Sequence, residues 1–197
     1  MTARRDWLAE RRSEVAAERI LDAAGELFTE HEPSSIGMAE IARAAGCSRA
    51  TLYRYFENRE ALHRAYVHRE ARAVNRALTA RLAGVEDPRE RLITGITAGI
   101  ATVRENPALA AWFGRTDPLG GELADRSEVI TEMVAAFVSR LGAEIDADTA
   151  RRRARWVVRV MTSLLVFPGR DSADEAALIE EFVAPAVLPA VADRDAR

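Results

Sequence analysis

Two short helical segments separated by a glycine constrain this chain more than any other part of its 197 residues. Apolar side chains of the first segment recur at helical spacing, at Met38, Ile41, Ala42 and Ala45. Gly46 follows them, where the end of a helix favours a left-handed residue. Ser48 can accept hydrogen bonds from the first N–H groups of a second helix, so that helix can begin within three residues. Two short helices joined by a tight turn that contains glycine form a helix-turn-helix.

The second helix of this pair carries side chains suited to DNA on the face opposite its apolar stripe of Leu52 and Phe56. That outward face combines guanidinium, hydroxyl and small groups: Arg49, Ala50, Thr51, Tyr53, Arg54 and Tyr55. Such groups suit phosphates and base edges. A pair of core helices is the alternative, but Tyr53, Tyr55 and Phe56 lie too close together to share one buried face. The pattern therefore favours DNA binding, with at least one tyrosine exposed.

The stretch 40–62, EIARAAGCSRATLYRYFENREAL, resembles the signature of the tetracycline-repressor (TetR) family of bacterial regulators. The upstream residues 20–28, ILDAAGELF, extend the resemblance over roughly the first third of the chain. It implies an all-α protein with a three-helix helix-turn-helix domain at residues 1–58 and a six-helix ligand-binding and dimerisation domain at 59–197. It also implies a ligand-responsive repressor that binds palindromic operator DNA as a homodimer and is released by a small hydrophobic inducer.

The same resemblance assigns roles within the DNA-binding motif. Ser48 belongs to the DNA-binding set, while Arg49, Ala50 and Tyr53 are expected to face base edges. The residues expected to hold phosphates are Thr51, Tyr55 and Arg59, with Arg59 standing where the family usually has Lys. Two positions depart from the family pattern, because Glu32 replaces the usual Gly and Gly37 the usual Ser or Thr. Gly37 lacks the hydroxyl for one phosphate contact that is common in the family.

Composition and charge fit this interpretation. The chain is 48% hydrophobic and 30% charged with few Gly and Pro, which favours helices over a barrel or sandwich. Its net charge is −3, yet residues 43–72 hold seven Arg and three acidic residues, a local charge of +4. Such polarity suits a protein that turns one end toward phosphates, although a solvated helix face is the alternative.

Cysteine usage and hydropathy predict a cytoplasmic protein. Cys47 is the only cysteine, so no internal disulfide can form. It is interpreted as a small apolar residue of the turn, with a redox sensor as the alternative. No apolar stretch approaches the roughly 20 residues of a membrane span.

Helix start and stop signals divide the chain into about nine helices. We predict the first helix over 13–30, then the helix-turn-helix pair and a long linking helix over 59–83 capped by Asn58. Asp87-Pro88 and Asn106-Pro107 open two further helices. The segment GRTDPLGG at 114–121 is predicted as a loop, followed by one helix to residue 141. Asp146 or Asp148 begins the next helix, and a capping box at 172–175 begins the last.

The second domain supplies candidate residues for a ligand pocket and for a dimer interface. The pocket candidates are Ile96, Ile100, Trp112, Phe113, Met133 and Phe137, with simple core filling as the alternative for the aromatic residues. The penultimate helix is apolar over more than one stripe, which a single packed face cannot bury. Pairing the last two helices with their symmetry mates would form a four-helix bundle. The interface candidates are Trp156, Val160, Leu164, Phe167, Leu178 and Phe182.

A helical-bundle metal enzyme is the alternative function from another class. Glu60-x-x-His63 has the spacing of one carboxylate–histidine pair, but that chemistry needs two such pairs and further glutamates. We therefore interpret His63 as part of the linking helix and expect no metal, cofactor or catalytic residue. The basic run at 151–155 is interpreted as paired with carboxylates or solvated rather than bound to DNA.

Overall fold

The chain folds into helices throughout the part that the computed structural model describes, which is residues 3–114, 119–142 and 145–188, with side chains from residue 13 onward. The α-helices are α1 Ala3–Glu30, α2 Met38–Ala44, α3 Arg49–Tyr55, α4 Arg59–Arg81, α5 Pro88–Glu105, α6 Pro107–Ala110, α7 Leu119–Asp125, α8 Glu128–Val138, α9 Ala147–Val166, α10 Ser172–Leu178 and α11 Ala184–Val187. Short 3-10 helices span Pro33–Ser35 and Ala111–Phe113. A π-helical turn, Ile179–Val183, joins α10 to α11. The predictions of an all-α fold and of an N-terminal helix-turn-helix are confirmed.

The turn between α2 and α3 has the geometry that the sequence predicts. Gly46 adopts a φ of 65°, and the N–H of Cys47 donates to the carbonyl of Ala42 at 2.9 Å. The Ser48 hydroxyl accepts from the N–H of Thr51 at 3.0 Å and so caps α3. Both predictions follow from local chemistry, because only glycine adopts a positive φ without a steric cost and a serine oxygen satisfies an exposed N–H.

Two large core clusters, with a small third one between α8 and α9, hold the described helices together. The first joins α1, α2 and α3 to the start of α4 and to the α6 region, through buried residues that include Phe28, Ile41, Leu52, Tyr66 and Trp112. The second joins α5, α8 and α9 to the last helical segment, through Leu92, Ile96, Val157, Ile179 and Val187 among others. Helix α6 packs closely on α1, so the first cluster contains residues from both sides of the predicted boundary at 58.

Most of the predicted helix caps are present. The side chains of Asn58, Asp87, Asn106 and Asp146 each accept a hydrogen bond from the first turn of the following helix. Helix α10, which the sequence predicts as the last helix, is different. Asp171 caps it by accepting from the N–H of Asp174 at 2.8 Å, and Asp171 lies one residue before the predicted capping box. The first helix also begins at Ala3, ten residues earlier than predicted. Its leading residues are mostly Ala, Arg, Leu and Glu, which favour helix even without an apolar stripe.

The prediction of a loop through Gly121 followed by one continuous helix is wrong. Helix α7 already begins at Leu119, while residues 115–118 of the predicted loop lie outside the described residues. The paired glycines are helical because they allow close packing. A Cβ at Gly120 would lie 2.8 Å from Cβ of Trp112, and one at Gly121 would lie 2.6 Å from Cγ2 of Thr162. A separate helix, α8, starts after Ser127, whose hydroxyl accepts from the N–H of Ile130.

Candidate DNA-binding surface and ligand cavity

Helix α3 presents the predicted reading residues to solvent. Leu52 and Phe56 are buried beneath it, whereas Arg49, Ala50 and Tyr53 are exposed, Tyr53 at 42%. One tyrosine is thus exposed, as predicted. Tyr55 is half-buried against the first core cluster, so Tyr53 is the more accessible of the two rings. The assignment of these residues to base edges stays a prediction.

Two of the three residues predicted to hold phosphates, Thr51 and Arg59, lie in the first turns of α3 and α4, whereas Tyr55 is the last residue of α3. The hydroxyls of Ser48 and Thr51 lie 2.9 Å apart, so each fixes the rotamer of the other. Asn58 caps α4 by accepting from the N–H of Ala61 at 2.8 Å. Arg59 donates from Nη1 to the carbonyl of Ser34 at 2.8 Å, which ties the start of α4 to the segment before α2. Free N–H groups and positive charge at helix starts are suited to phosphates.

The segment before α2 accommodates both departures from the family pattern. Glu32 is extended, with φ −62° and ψ 133°, as expected for a residue before proline. Gly37 is the N-cap of α2, and because glycine has no side chain, it makes no side-chain hydrogen bond to the helix.

Arg69 is committed to internal ion pairs rather than to the basic surface. Its Nη1 donates to Asp22 at 2.7 Å and to Glu18 at 3.2 Å, and its Nε donates to Glu70 at 2.9 Å. The side chain is only 23% exposed. Sequence reasoning counted Arg69 among the charges of the DNA-facing end and missed this role, which clamps α4 onto α1.

A cluster of aromatic rings links the first core cluster to the middle of the chain. The Trp112 ring stacks on Tyr66 with centroids 5.7 Å apart and meets Phe28 and His63 edge-on at 5.1 and 4.9 Å. Trp112 is 1% exposed and His63 is 4% exposed. Burial, followed by the positive charge of Arg59, lowers the pKa of His63 to about 4, so this ring is neutral at neutral pH. Within the described residues, neither Nε2 of His63 nor Nε1 of Trp112 has a hydrogen-bond partner.

A cavity of about 210 Å³ lies between α4, α5, α7, α8 and α9. Five of the six predicted pocket residues line it: Ile96, Trp112, Phe113, Met133 and Phe137. Ile100 does not, because it points into the second core cluster and is 1% exposed. Sequence reasoning missed the contribution of α4 and its C-cap, which line the cavity through Val67, Ala71, Val74, Leu78 and Leu82. Their spacing of three and four residues is the helical signal that could have found them.

Four of the six predicted interface residues are exposed apolar side chains on α9 or on the helical segments after it. The exposed fractions are 45% for Trp156, 60% for Phe167, 39% for Leu178 and 59% for Phe182. Val160 is half-buried against the second core cluster. Leu164 is 8% exposed within the same cluster, so its assignment to a surface is wrong: it faces the inside of its own chain.

The residues considered for a metal site, a second DNA-binding patch and a redox sensor have structural contacts of their own. Glu60 lies 3.6 Å from Arg64 on the surface, while His63 is enclosed by rings. Among the described residues, no group of three or more His, Cys, Asp or Glu side chains could hold a metal ion. Arg151 of the basic run donates to Glu132 at 2.6 Å, as predicted for a run paired with carboxylates. Cys47 is half-buried and packs against the first core cluster.

Comparison with known proteins agrees with this geometry. Residues 20–66 match the model of the bacterial regulatory proteins of the tetR family. An uncharacterized HTH-type transcriptional regulator of Mycobacterium tuberculosis is 62% identical over 188 residues, covering 95% of this chain and 93% of the relative. The chain belongs to the TetR family. It is therefore a helix-turn-helix transcriptional regulator, as predicted.

Two further relatives of this TetR-family regulator share one name. The HTH-type transcriptional regulator AlkX of M. tuberculosis is 29% identical over 185 residues, covering 90% of this chain and 87% of the relative. The crystal structure of the TetR family repressor AlkX from a Dietzia species, implicated in biodegradation of n-alkanes, superposes with a TM-score of 0.66 at 25% identity. That match covers 87% of this chain and 94% of the Dietzia chain. In the described part of the present chain, no helix is both long and apolar enough to cross a membrane.

Proposed function

We propose that this regulator is a repressor that binds palindromic operator DNA as a homodimer and is released by a small apolar ligand. In this proposal residues 1–58 bind the DNA, and residues 59–197 bind the ligand and form the dimer. The observation that carries it is the position of Trp112, one side chain that lines the cavity and packs in the core under the DNA-binding helices. The protein would act in the cytoplasm, where its DNA lies, without a cofactor or catalytic turnover.

Sequence recognition is assigned to α3. The residues proposed to face base edges in the major groove are Arg49, Ala50 and Tyr53. Those proposed to contact the phosphates of the DNA backbone are Ser48, Thr51, Tyr55 and Arg59. A guanidinium can donate two hydrogen bonds to guanine, so Arg49→Ala should cost roughly 1–3 kcal/mol at one base pair. Arg59→Ala should instead weaken all sequences alike and reduce the salt dependence of binding.

The test is selection of an operator from DNA upstream of the protein's own gene, followed by gel-shift titration of the variants. Arg126→Ala is the matched control, because Arg126 is an exposed arginine that pairs with Glu122 away from α3. An unchanged base preference in Arg49→Ala would refute the assignment of the reading residue. Operators without an inverted repeat would refute the dimeric mode of binding.

The ligand is proposed to act through α4 and Trp112. Helix α4 has 23 residues and is therefore about 34 Å long, from Arg59 at the DNA-binding end to the cavity wall. A ligand lowers operator affinity only if it binds more tightly to the arrangement that does not fit DNA. A ligand that displaces Trp112 or the cavity-lining turns of α4 would alter the packing beneath α3. The resulting loss of operator affinity would be set by the difference in the ligand's affinity for the two arrangements.

The cavity favours a small apolar ligand. At about 210 Å³ it is larger than the roughly 150 Å³ cavity known to accept benzene, and smaller than the roughly 300 Å³ typical of drug-sized sites. Aliphatic and aromatic side chains dominate its wall. The similarity to the Dietzia repressor, implicated in biodegradation of n-alkanes, supports a ligand that contains a hydrocarbon chain.

The dimer is proposed to form through the exposed apolar surface of Trp156, Phe167, Leu178 and Phe182. Side chains this large and this exposed are stabilised when a second copy covers them. Light scattering should give the mass of a dimer at micromolar concentration. Phe182→Glu should shift it toward the monomer, whereas Val15→Glu, at a 62% exposed apolar residue on α1, should not. A monomeric wild-type protein would refute the interface.

A further inference from the structure

The charged residues that line the cavity are of one sign. Among the described residues of its wall, Arg91 and Arg140 carry charge, and neither Asp nor Glu contributes. The other polar side chains there are neutral: Asn75, Thr79 and Thr162. A ligand that was only a hydrocarbon would leave both guanidinium groups without an anionic partner, which is unfavourable.

Among the described residues, neither of these two arginines has an acidic partner. Arg104 on the same helix, α5, is paired with the carboxylate of Glu175 at 2.7 Å. Arg91 instead donates from Nη1 to the carbonyl of Val85 at 3.1 Å, and its buried Nε has no partner among the described residues. Arg91 is partly buried without an anion, which is unfavourable, and the exposed Arg140 adds positive charge to the same wall. This end of the cavity is therefore suited to a negative group.

The arginines lie at one end of an elongated site. Along α5 the wall runs from Arg91 to Val103, twelve residues apart and hence about 18 Å. Arg140 follows α8, and a Cβ at Gly142, two residues further on, would lie 4.0 Å from Cγ of Pro88, so Arg140 lies near the start of α5. At the other end the wall is formed by Leu109 and Trp112, which belong to the first core cluster. The site therefore has a cationic end and an apolar end.

From this polarity we infer that the ligand is an amphipathic anion, an unbranched monocarboxylic acid. Its carboxylate is bound by Arg91 and Arg140, and its alkyl chain runs along α5 toward Trp112. The inference rests on the proposed function of the cavity as the ligand site and specifies the class of ligand. An extended chain advances roughly 1.2 Å per bond, so about 18 Å accommodates about 15 bonds. Guanidinium groups bind carboxylates through charge-assisted hydrogen bonds, which an alcohol of the same length cannot replace.

Isothermal titration calorimetry with dodecanoate and dodecanol, both below their aggregation concentrations, tests the inference. Dodecanoate should bind at least tenfold more tightly than dodecanol. Arg91→Gln and Arg140→Gln should each weaken dodecanoate binding about tenfold or more and leave dodecanol binding within twofold. Arg126→Gln, which removes an exposed arginine outside the cavity wall, should change neither. Dodecanoate should also release operator DNA in a gel shift at lower concentration than dodecanol.

The outcomes separate this inference from the proposed function. If dodecanol binds as tightly as dodecanoate and the glutamine variants behave like wild type, the carboxylate site is refuted while the apolar cavity stands. If neither compound binds to a protein that still binds its operator, the inference is refuted and DNA binding stands. If Arg91→Gln unfolds the chain, Arg140→Gln decides, because Arg140 is exposed and contributes little to packing.

Discussion

Removal of the titratable ring of His63 should make the stability of the protein less dependent on pH. His63 lies between Phe28 and Trp112, where no described polar group reaches its Nε2. Burial and the nearby charge of Arg59 lower its pKa from 6.5 to about 4. The folded chain therefore holds this ring neutral over a pH range in which the unfolded chain binds a proton. His63→Phe replaces the ring with one that cannot titrate.

The magnitude follows from the two pKa values. Because the folded pKa lies below the unfolded one, the contribution of His63 to stability is fully present above pH 6.5 and is lost as the pH falls toward 4. One pKa unit corresponds to about 1.4 kcal/mol, so the complete loss is about 3 kcal/mol. Between pH 8 and pH 5 the wild-type chain should lose about 2 kcal/mol through this residue alone.

Urea denaturation at pH 8 and pH 5 measures this difference. The free energy of unfolding should fall by about 2 kcal/mol less in His63→Phe than in wild type. Other groups with shifted pKa values, such as His68 and Glu175, titrate in both proteins and cancel in the comparison. His31→Gln, at an exposed histidine, should follow wild type. An equal loss in wild type and His63→Phe, or in a second variant His63→Leu, would refute the reasoning.

Three further substitutions test the fold. Gly46→Ala should lower the free energy of unfolding by roughly 1–2 kcal/mol in urea denaturation, because φ is 65° and no atom lies near the added methyl group; a neutral effect would contradict the left-handed turn. Arg104→Gln should cost roughly 3–5 kcal/mol by leaving the buried Glu175 carboxylate without its cation, and adding Glu175→Gln should restore part of it if that reason is correct. Gly121→Ala should cost roughly 1–3 kcal/mol in thermal melts through its contact with Thr162, and Thr162→Ser, which removes Cγ2, should reduce that cost.

The features predictable from sequence are those whose cause lies within a few residues. Ser48, Asn58 and Asp87 each accept from the N–H three residues later, so the pattern and the contact span the same short stretch. Gly46 is similar, because its φ is required by the turn that contains it. The helix-turn-helix and the exposure of Arg49 follow from such local signals.

The features that sequence reasoning missed depend on distant partners. Gly120 and Gly121 predict a loop when taken alone, and only the contact of Gly121 with Thr162 on α9 explains why they are helical. Arg69 is counted with the positive charges of the DNA-facing end in the sequence, because nothing near it in the chain indicates its carboxylate partners on α1. Leu164 is apolar whether it faces a second chain or its own core, so periodicity cannot distinguish the two.

Helix α4 contacts the first core cluster at one end and the cavity at the other. Its early turns serve the first core cluster through Leu62 and Tyr66, whereas its later turns line the cavity through Leu78. The apolar stripe therefore changes neighbours along the helix, and Val67 belongs to both surfaces. Packed cores resist continuous deformation and change by discrete shifts of whole elements. We therefore expect a ligand that moves α4 at Leu78 to disturb the contacts of Tyr66 as well, and with them the position of Arg59 at the start of the same helix.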